Sequence, residues 1–169
     1  MWLLLFASAA DAASPLAQQL LRDGADERGT LRDCLPLGHV DDEDEEVLLL
    51  AAAPLLPTAT ASGTSPVLET PPALAGAELA QRVEALVRAL RDHVPRMLAR
   101  GSGRFVCVVV RPCPTGTTSA LDEAYAGAMA TLVHATAREI HNREGPMPPR
   151  VDLRVVELDQ GRLPTPKRN

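Results

Sequence analysis

Apolar and polar positions divide the chain into strand-like and helix-like segments that alternate. The strand-like segments are continuous apolar runs: "WLLLFAS" (2–8), "EVLLLAAAP" (46–54), "GRFVCVVV" (103–110) and "RVDLRVVEL" (150–158). The third has almost no polar position, so it is expected to be buried on both faces. Strands of this kind that alternate with helices are typical of a parallel sheet covered on both sides. The pattern therefore predicts an α/β fold with three layers.

The first helical segment is "SPLAQQLLRDGA" (14–25). Ser14 is a natural N-cap, Pro15 suits the first helical position and Gly24 suits the C-terminal stop. Together with the apolar run before it, this segment predicts a strand-turn-helix opening.

Two longer helices follow. Segment 77–101 has apolar residues at three- and four-residue steps, which predicts a helix whose regular part is kinked or ended by Pro95. Segment 119–140 predicts a second long helix, with Ser119 as its cap. Residues 54–75 are rich in Pro, Thr, Ser and Ala and are expected to form a long irregular loop.

Composition indicates one domain, at 1–161, followed by a tail at 162–169. The apolar fraction is 46% but aromatic residues are only 2%, so the core must consist of small aliphatic side chains. The net charge is -5 and no basic stripe is present, which argues against nucleic-acid binding. The acidic run "DDEDEE" (41–46) lacks the ligand spacing of a calcium loop and is interpreted as a solvated loop.

Cysteine and histidine spacing gives no metal motif. The three cysteines form no CxxC pair, which suits a reducing compartment, and Cys107 lies in an apolar run typical of the core. The histidines are scattered and are expected to be exposed or capping residues: His39, His93, His134 and His141. No metal site is predicted.

The N-terminal segment "MWLLLFASAADAASP" has an apolar stretch and a small-residue "ADA" site, as in a short signal peptide. No Lys or Arg precedes the apolar stretch, and the run is too short to span a bilayer. We therefore expect a cytoplasmic protein without a membrane segment, and processing of the N-terminus stays open.

Five segments follow one another in a recognisable order: "LLLFASAADAASPLAQQLLRDGA", "HVDDEDEEVLLLAAAP", "ALRDHVPRMLARGSGRFVCVVV", "AYAGAMATLVHATAREI" and "RVDLRVVELDQG". In this order they resemble the opening strand and helix, the fourth strand, the helix and fifth strand, the catalytic helix and the next strand of the short-chain dehydrogenase/reductase family. The resemblance covers residues 2–161 and implies a Rossmann-like fold. The fold would be truncated, because residues 26–40 offer little for the family's second strand and helix.

The resemblance also implies that most of the family's catalytic groups are replaced. Tyr125 matches the catalytic tyrosine, but Met129 stands at the lysine position. The serine position falls near Val110, or at Pro112 when counted back from the tyrosine, and the asparagine position falls near Arg82. A tyrosine has an ordinary pKa of about 10 and is a poor base without a nearby cation. Tyr125 is therefore interpreted as a packing residue.

The positions that bind the dinucleotide in the family are altered too. The glycine turn corresponds to Ala7, Asp11 and Ala13, where added Cβ atoms and a carboxylate would oppose a pyrophosphate. The Asn-Asn-Ala-Gly segment corresponds to Ala51, Ala52, Ala53 and Pro54. The resemblance therefore implies that no NAD(P) cofactor is bound.

Helices 77–99 and 119–140 match the two that form a four-helix bundle between subunits of the family. The leading hypothesis is a non-catalytic subunit that pairs with an active ketoreductase or hydroxyacyl dehydrogenase in a heterodimer or heterotetramer. One alternative is a binding module whose vacated cleft near Ala7, Ala51 and Val110 holds a ligand. The other is a minimal NAD(P)-dependent reductase that uses Tyr125.

Overall fold

The computed structural model describes residues 2–14, 16–18, 20–21, 45–51, 71–111, 120–142 and 150–159. In this part of the chain, the elements are β1 (Trp2–Phe6), α1 (Ala9–Ala12), β2 (Glu46–Ala51), α2 (Pro72–Arg100), β3 (Ser102–Arg111), α3 (Ala120–His141) and β4 (Arg150–Asp159). A short helical segment, described at residues 16–18 and 20–21, follows α1.

The described strands form one parallel sheet in the order β1-β2-β3-β4. One row across the sheet shows the register: Leu4 of β1 lies opposite Leu48, which lies opposite Val106. Because β2 and β3 are the two inner strands of the described sheet, their apolar side chains from Val47 to Ala51 and from Phe105 to Val109 are buried, as the unbroken apolar run of β3 predicted. The predicted Rossmann-like α/β fold is confirmed.

Helices cover both faces of this sheet. Helices α2 and α3 pack on one face, where the buried side chains include Val47, Leu49, Phe105, Cys107 and Val133. The short helical segment packs on the opposite face, and the cluster there includes Leu16, Ala17, Leu20, Leu48, Leu50, Val106 and Val108. Cys107 is a buried core residue, as predicted.

The faces on which the helices lie mark a topological switch point at one end of the sheet, where open α/β folds have their crevice. The connections through α2 and α3 step across the sheet in the same direction and lie on the same face, as a single handedness requires. The step from β1 to β2 has that direction too, yet its short helical segment lies on the opposite face. The described helices that follow β1 and β2 therefore lie on opposite faces. In parallel sheets, ligands bind at the carboxyl ends of such strands.

Helix α2 is longer than its apolar pattern predicted. It begins at Pro72, so residues 72–75 belong to a helix and not to the predicted loop, whose residues 54–70 lie outside the described residues. Proline suits this start because the first turn of a helix needs no backbone donor. Pro95 does not end the helix, which continues to Gly101 at φ 81. Proline removes one backbone bond, and the packing of the turns on either side of it on the sheet holds the helix together.

The amino ends of the strands carry buried charges where a solvated acidic run was predicted. Glu45 accepts hydrogen bonds from His93 Nδ1 and Arg100 Nη1, each at 3.0 Å. Glu46 lies 3.5 Å from the guanidinium of Arg104. The predictions of a solvated loop at these two glutamates and of an exposed His93 were wrong, because partners more than forty residues away neutralise the glutamates. Residues 41–44 lie outside the described residues.

One glycine fixes the close approach of α2 to the sheet. Gly103, at φ 150, lies at the start of β3, and a Cβ added there would meet the Met97 side chain at 2.5 Å from Cγ. By contrast, a Cβ added at Gly127 of α3 would meet nothing within 4 Å. The sheet and α2 are therefore packed without spare room at Gly103.

Candidate functional site

The turn after β1 positions the first polar group of the crevice. Ser8 caps α1: its Oγ accepts the Asp11 backbone N–H at 3.1 Å and donates to Asp11 Oδ2 at 2.6 Å. Asp11 is fully buried. This turn begins before the predicted helix, whose cap at Ser14 is confirmed by a hydrogen bond from the Ala17 N–H at 3.1 Å.

Helix α2 places a buried arginine against this carboxylate. Arg82 is only 2% exposed, and its Nη1 lies 3.9 Å from Asp11 Oδ2. The arginine stands on the inward face of α2, four residues before the buried Leu86. A buried ion pair of this kind has to offset the loss of water around both charges.

Helix α3 adds the tyrosine. The Cζ atom of Arg82 lies 5.1 Å from the centroid of the Tyr125 ring, which is within cation–π distance. Tyr125 is 3% exposed, and its hydroxyl has no hydrogen-bond partner of good geometry within the described ranges. We call these three side chains the Asp11–Arg82–Tyr125 cluster.

Burial dominates the acid-base chemistry of this cluster. It raises the pKa of Tyr125 above the ordinary value of 10.0; the charge of Arg82 opposes this rise and that of Asp11 adds to it. Burial and the charge of Asp11 also raise the pKa of the nearby Cys107 thiol to about 12. Both groups are therefore protonated at neutral pH, and neither is suited to act as a base or nucleophile there.

The residue one turn after the tyrosine is part of the apolar core. Met129 is fully buried and packs in the same hydrophobic core as Tyr125 and Val133. A thioether carries no charge, so it cannot lower the pKa of the neighbouring phenol. The only cation that the structure describes within reach of the ring is Arg82.

The remaining predicted positions are only partly brought together. Ala7 and Ala51 are buried at the carboxyl ends of β1 and β2, whereas Ala13 is exposed. The side chain of Val110 lies outside the described residues, as do Ala52, Ala53, Pro54 and Pro112. The crevice therefore joins Ala7, Asp11 and Ala51 with residues of α2 and α3.

The family resemblance singled out Asp11, Arg82 and Tyr125 as separate positions. It did not predict that Arg82 forms an ion pair with Asp11. A signal was present, since Arg82 falls three residues after Leu79 and four before Leu86, on a stripe that is otherwise apolar. A charged residue on such a stripe needs a buried partner of opposite sign. The sequence could have indicated the need for a partner but not which acid supplies it.

A second feature lies on the outer surface. A groove of about 440 Å³ runs between α2 and α3, and its lining is mostly apolar: Val87, Leu90, Val94, Pro95, Leu98, Leu132, Thr136 and Ile140, with Arg91 and Glu139 at its rims. Val87 is 37% exposed. Helix α3 has no Asp, Glu, Lys or Arg from residue 124 to 137. The groove between the two helices is therefore mostly apolar.

The described residues hold neither a metal-binding cluster nor a membrane-spanning helix. Across the described ranges, no group of three or more His, Cys, Asp or Glu side chains could hold a metal ion. His134 and His141 are exposed, as predicted, and His39 lies outside the described residues. None of the described helices has the length and apolar character that a membrane crossing requires.

Comparisons of this chain with protein families, with curated proteins and with solved structures found no match.

Proposed function

We propose that this chain is a non-catalytic subunit, similar to short-chain dehydrogenases, that pairs with an active ketoreductase or hydroxyacyl dehydrogenase and stabilises it. The observation that carries the proposal is the Asp11–Arg82–Tyr125 cluster. It fills the crevice with a buried ion pair where an enzyme of that family holds its coenzyme and its catalytic tyrosine.

The turn after β1 and its ion pair with Arg82 oppose a dinucleotide. At a helix N-terminus, free backbone N–H groups attract phosphate, but the N–H of Asp11 already donates to Ser8 Oγ. The Asp11 carboxylate lies in the same turn and would repel a phosphate at close range. Moving Asp11 aside would also separate it from Arg82 in a buried setting, which is costly.

The phenol of Tyr125 is also unsuited to proton transfer. Its pKa is raised, because burial outweighs the effect of the Arg82 charge. The guanidinium lies over the ring face, and the next turn of α3 offers only Met129. This favours a packing role for Tyr125 over the alternative of a minimal reductase.

The outer groove supports the pairing part of the proposal. Helix surfaces that stay in water carry charges, whereas fourteen consecutive residues of α3 carry none. Small side chains on the outward side of α3, at Ala124, Ala128 and Ala135, allow close approach of a second helix. We take the groove between α2 and α3 as the centre of the surface that binds the partner.

Coenzyme binding tests the first part. Calorimetric titration of the purified chain with NADPH and NADH is expected to show no binding up to about 1 mM coenzyme. A dissociation constant above that concentration corresponds to a favourable binding free energy of less than roughly 4 kcal/mol. The matched variant Asp11→Gly/Arg82→Asn lacks the ion pair and is expected to gain measurable binding. Micromolar binding by the unaltered chain would refute the proposal.

Pairing is tested with two matched substitutions in α3. The chain is co-expressed with intact short-chain dehydrogenases from its native source, and complex formation is measured by size exclusion with mass determination. Thr136→Arg places a charge in the groove and is expected to abolish the complex, whereas His134→Arg places the same charge on an exposed position that does not line the groove. Equal behaviour of the two variants would argue against this surface.

A further inference from the structure

Helix α2 contains a proline near its carboxyl end. Pro95 has no N–H to donate to the Arg91 carbonyl, so the helix lacks one of its backbone hydrogen bonds at this point. Of residues 96–100, Met97 is the one that is fully buried, whereas five side chains of residues 86–94 are buried. Backbone bonding and core packing therefore hold the segment after the proline less firmly than the turns before it.

A single carboxylate binds α2 on both sides of this proline. Glu45 Oε1 lies 3.0 Å from Nδ1 of His93, which precedes Pro95 by two residues. Glu45 Oε2 accepts a hydrogen bond at 3.0 Å from Nη1 of Arg100, which follows Pro95 by five residues. His93 and Arg100 are two helical turns apart and so lie on the same side of α2. Each oxygen of the carboxylate therefore holds a different part of the helix.

The carboxylate itself is fixed to the sheet. The side chain of Glu45 is 1% exposed, and its backbone carbonyl accepts the Arg104 N–H of β3 at 2.8 Å. The next residue, Glu46, begins β2. A buried carboxylate that loses a donor is left with an unsatisfied acceptor, which is costly. The two bonds to α2 are therefore anchored in the sheet and cannot simply be exchanged for water.

The same part of α2 forms one wall of the outer groove. Val94, Pro95 and Leu98 line the groove. The helical period places them on a different face of α2 from His93 and Arg100. The two bonds to Glu45 are thus made on one face of the helix, and the groove is lined by another. A movement of the last turn relative to the sheet would displace Leu98 and change the shape of the groove.

We propose that Glu45 is a clamp across Pro95, which fixes the last turn of α2 to the sheet and so sets the shape of the groove. Its side chain restores a restraint that the proline removes from the backbone. Glu45 and Arg100 are therefore positioning residues, because neither lines the groove but both determine where Leu98 lies. The consequence for a partner rests on the proposed function, in which the groove binds one, whereas the clamp itself does not.

Hydrogen exchange of the backbone amides of residues 97–100, measured by NMR spectroscopy on the full chain, tests the clamp. Arg100→Met removes one of the two bonds and is expected to speed this exchange about tenfold. The control Arg96→Met removes the same charge from an exposed side chain one turn earlier and is expected to change it less than about threefold. The amides of β3 report opening of the whole fold. If they accelerate as much as residues 97–100, the effect is a general loss of stability and the proposal is overturned.

Restoring the backbone bond gives a second measurement, which a merely stabilising contact would not alter. Pro95→Ala supplies an N–H for the Arg91 carbonyl and is expected to slow the exchange of residues 97–100. In this background Arg100→Met is expected to speed the exchange by less than about threefold, because the backbone then holds the turn. These measurements use the chain alone, so they succeed or fail independently of the pairing with a dehydrogenase. An equal effect of Arg100→Met with and without Pro95, or no effect in either background, would overturn the proposal.

Discussion

Removal of the buried arginine should destabilise the fold more than a typical core substitution. Arg82→Met keeps most of the side-chain volume, so the effect arises from charge and not from a cavity. The substitution leaves the fully buried Asp11 carboxylate without its guanidinium and takes the cation from the face of Tyr125. Asp11 retains the hydrogen bond from Ser8 at 2.6 Å.

The expected magnitude follows from these contacts. Breaking a buried ion pair costs about 3–5 kcal/mol, and the 3.9 Å separation together with the remaining Ser8 bond favours the lower end of that range. We therefore expect Arg82→Met to lower the free energy of unfolding by about 3 kcal/mol. The double variant Arg82→Met/Asp11→Asn removes both charges and should recover about 2 kcal/mol of this loss.

Urea denaturation followed by circular dichroism measures both effects. With a slope of about 2 kcal/mol per M, the midpoint should fall by about 1.5 M in Arg82→Met and recover by about 1 M in the double variant. If the double variant is no more stable than Arg82→Met, the cost lies in lost packing and the ion-pair reasoning is wrong. A loss below about 1 kcal/mol in Arg82→Met would show that the crevice is wetter than the structure indicates.

Three further results are expected from the same denaturation assay. Gly103→Ala should lower the free energy of unfolding by about 2–4 kcal/mol, because the added Cβ meets Met97 of α2 and the residue has a positive φ. Gly127→Ala should raise the free energy of unfolding by about 0.5–1 kcal/mol, because alanine favours the helix. Equal effects of the two substitutions would contradict the close packing at Gly103. Glu45→Gln should lose about 2–3 kcal/mol, but Glu84→Gln, in an exposed pair, less than about 0.5 kcal/mol. The pKa of Cys107 is raised from 9.0 in the unfolded chain to about 12 in the fold. The buried neutral thiol therefore contributes its full stabilisation below pH 9, and this stabilisation is lost as the pH rises toward 12. Between pH 9 and 11, the free energy of unfolding of the unaltered protein should fall by roughly 1 kcal/mol per pH unit more than that of Cys107→Ala. If the free energies of unfolding of the two proteins depend on pH in the same way, the raised pKa of Cys107 is wrong.

The sequence pattern predicted the parts of the fold that depend on local periodicity. Strand β3 and helix α3 differ from the predicted segments by one residue at each end, because apolar spacing and the side chains' own preferences decide such elements. The start of α2 was missed. Its first residues Pro72, Ala73 and Leu74 are exposed and carry no apolar stripe, so there was no period to detect.

The buried charges could not be predicted in the same way. Glu45 is stabilised by His93 and Arg100, and Asp11 by Arg82, so each acid depends on a base that is far away in sequence. An acidic run is solvated unless such partners fold against it. Only the tertiary arrangement of α2 against the amino and carboxyl ends of the sheet decides between the two outcomes.

The two buried acids also differ in what they imply for function. Glu45 joins α2 to the amino ends of the strands, where α/β folds place stabilising contacts, and two short bonds hold it. The pair of Asp11 and Arg82 is longer and lies at the carboxyl ends, where such folds place ligands. Apolar side chains of equal volume often stabilise a fold as well as a buried ion pair does. Stability alone therefore does not require charges in this crevice. A small loss in Arg82→Met/Asp11→Asn would show that the pair contributes little to the stability of the fold, as its proposed role in excluding a charged coenzyme requires.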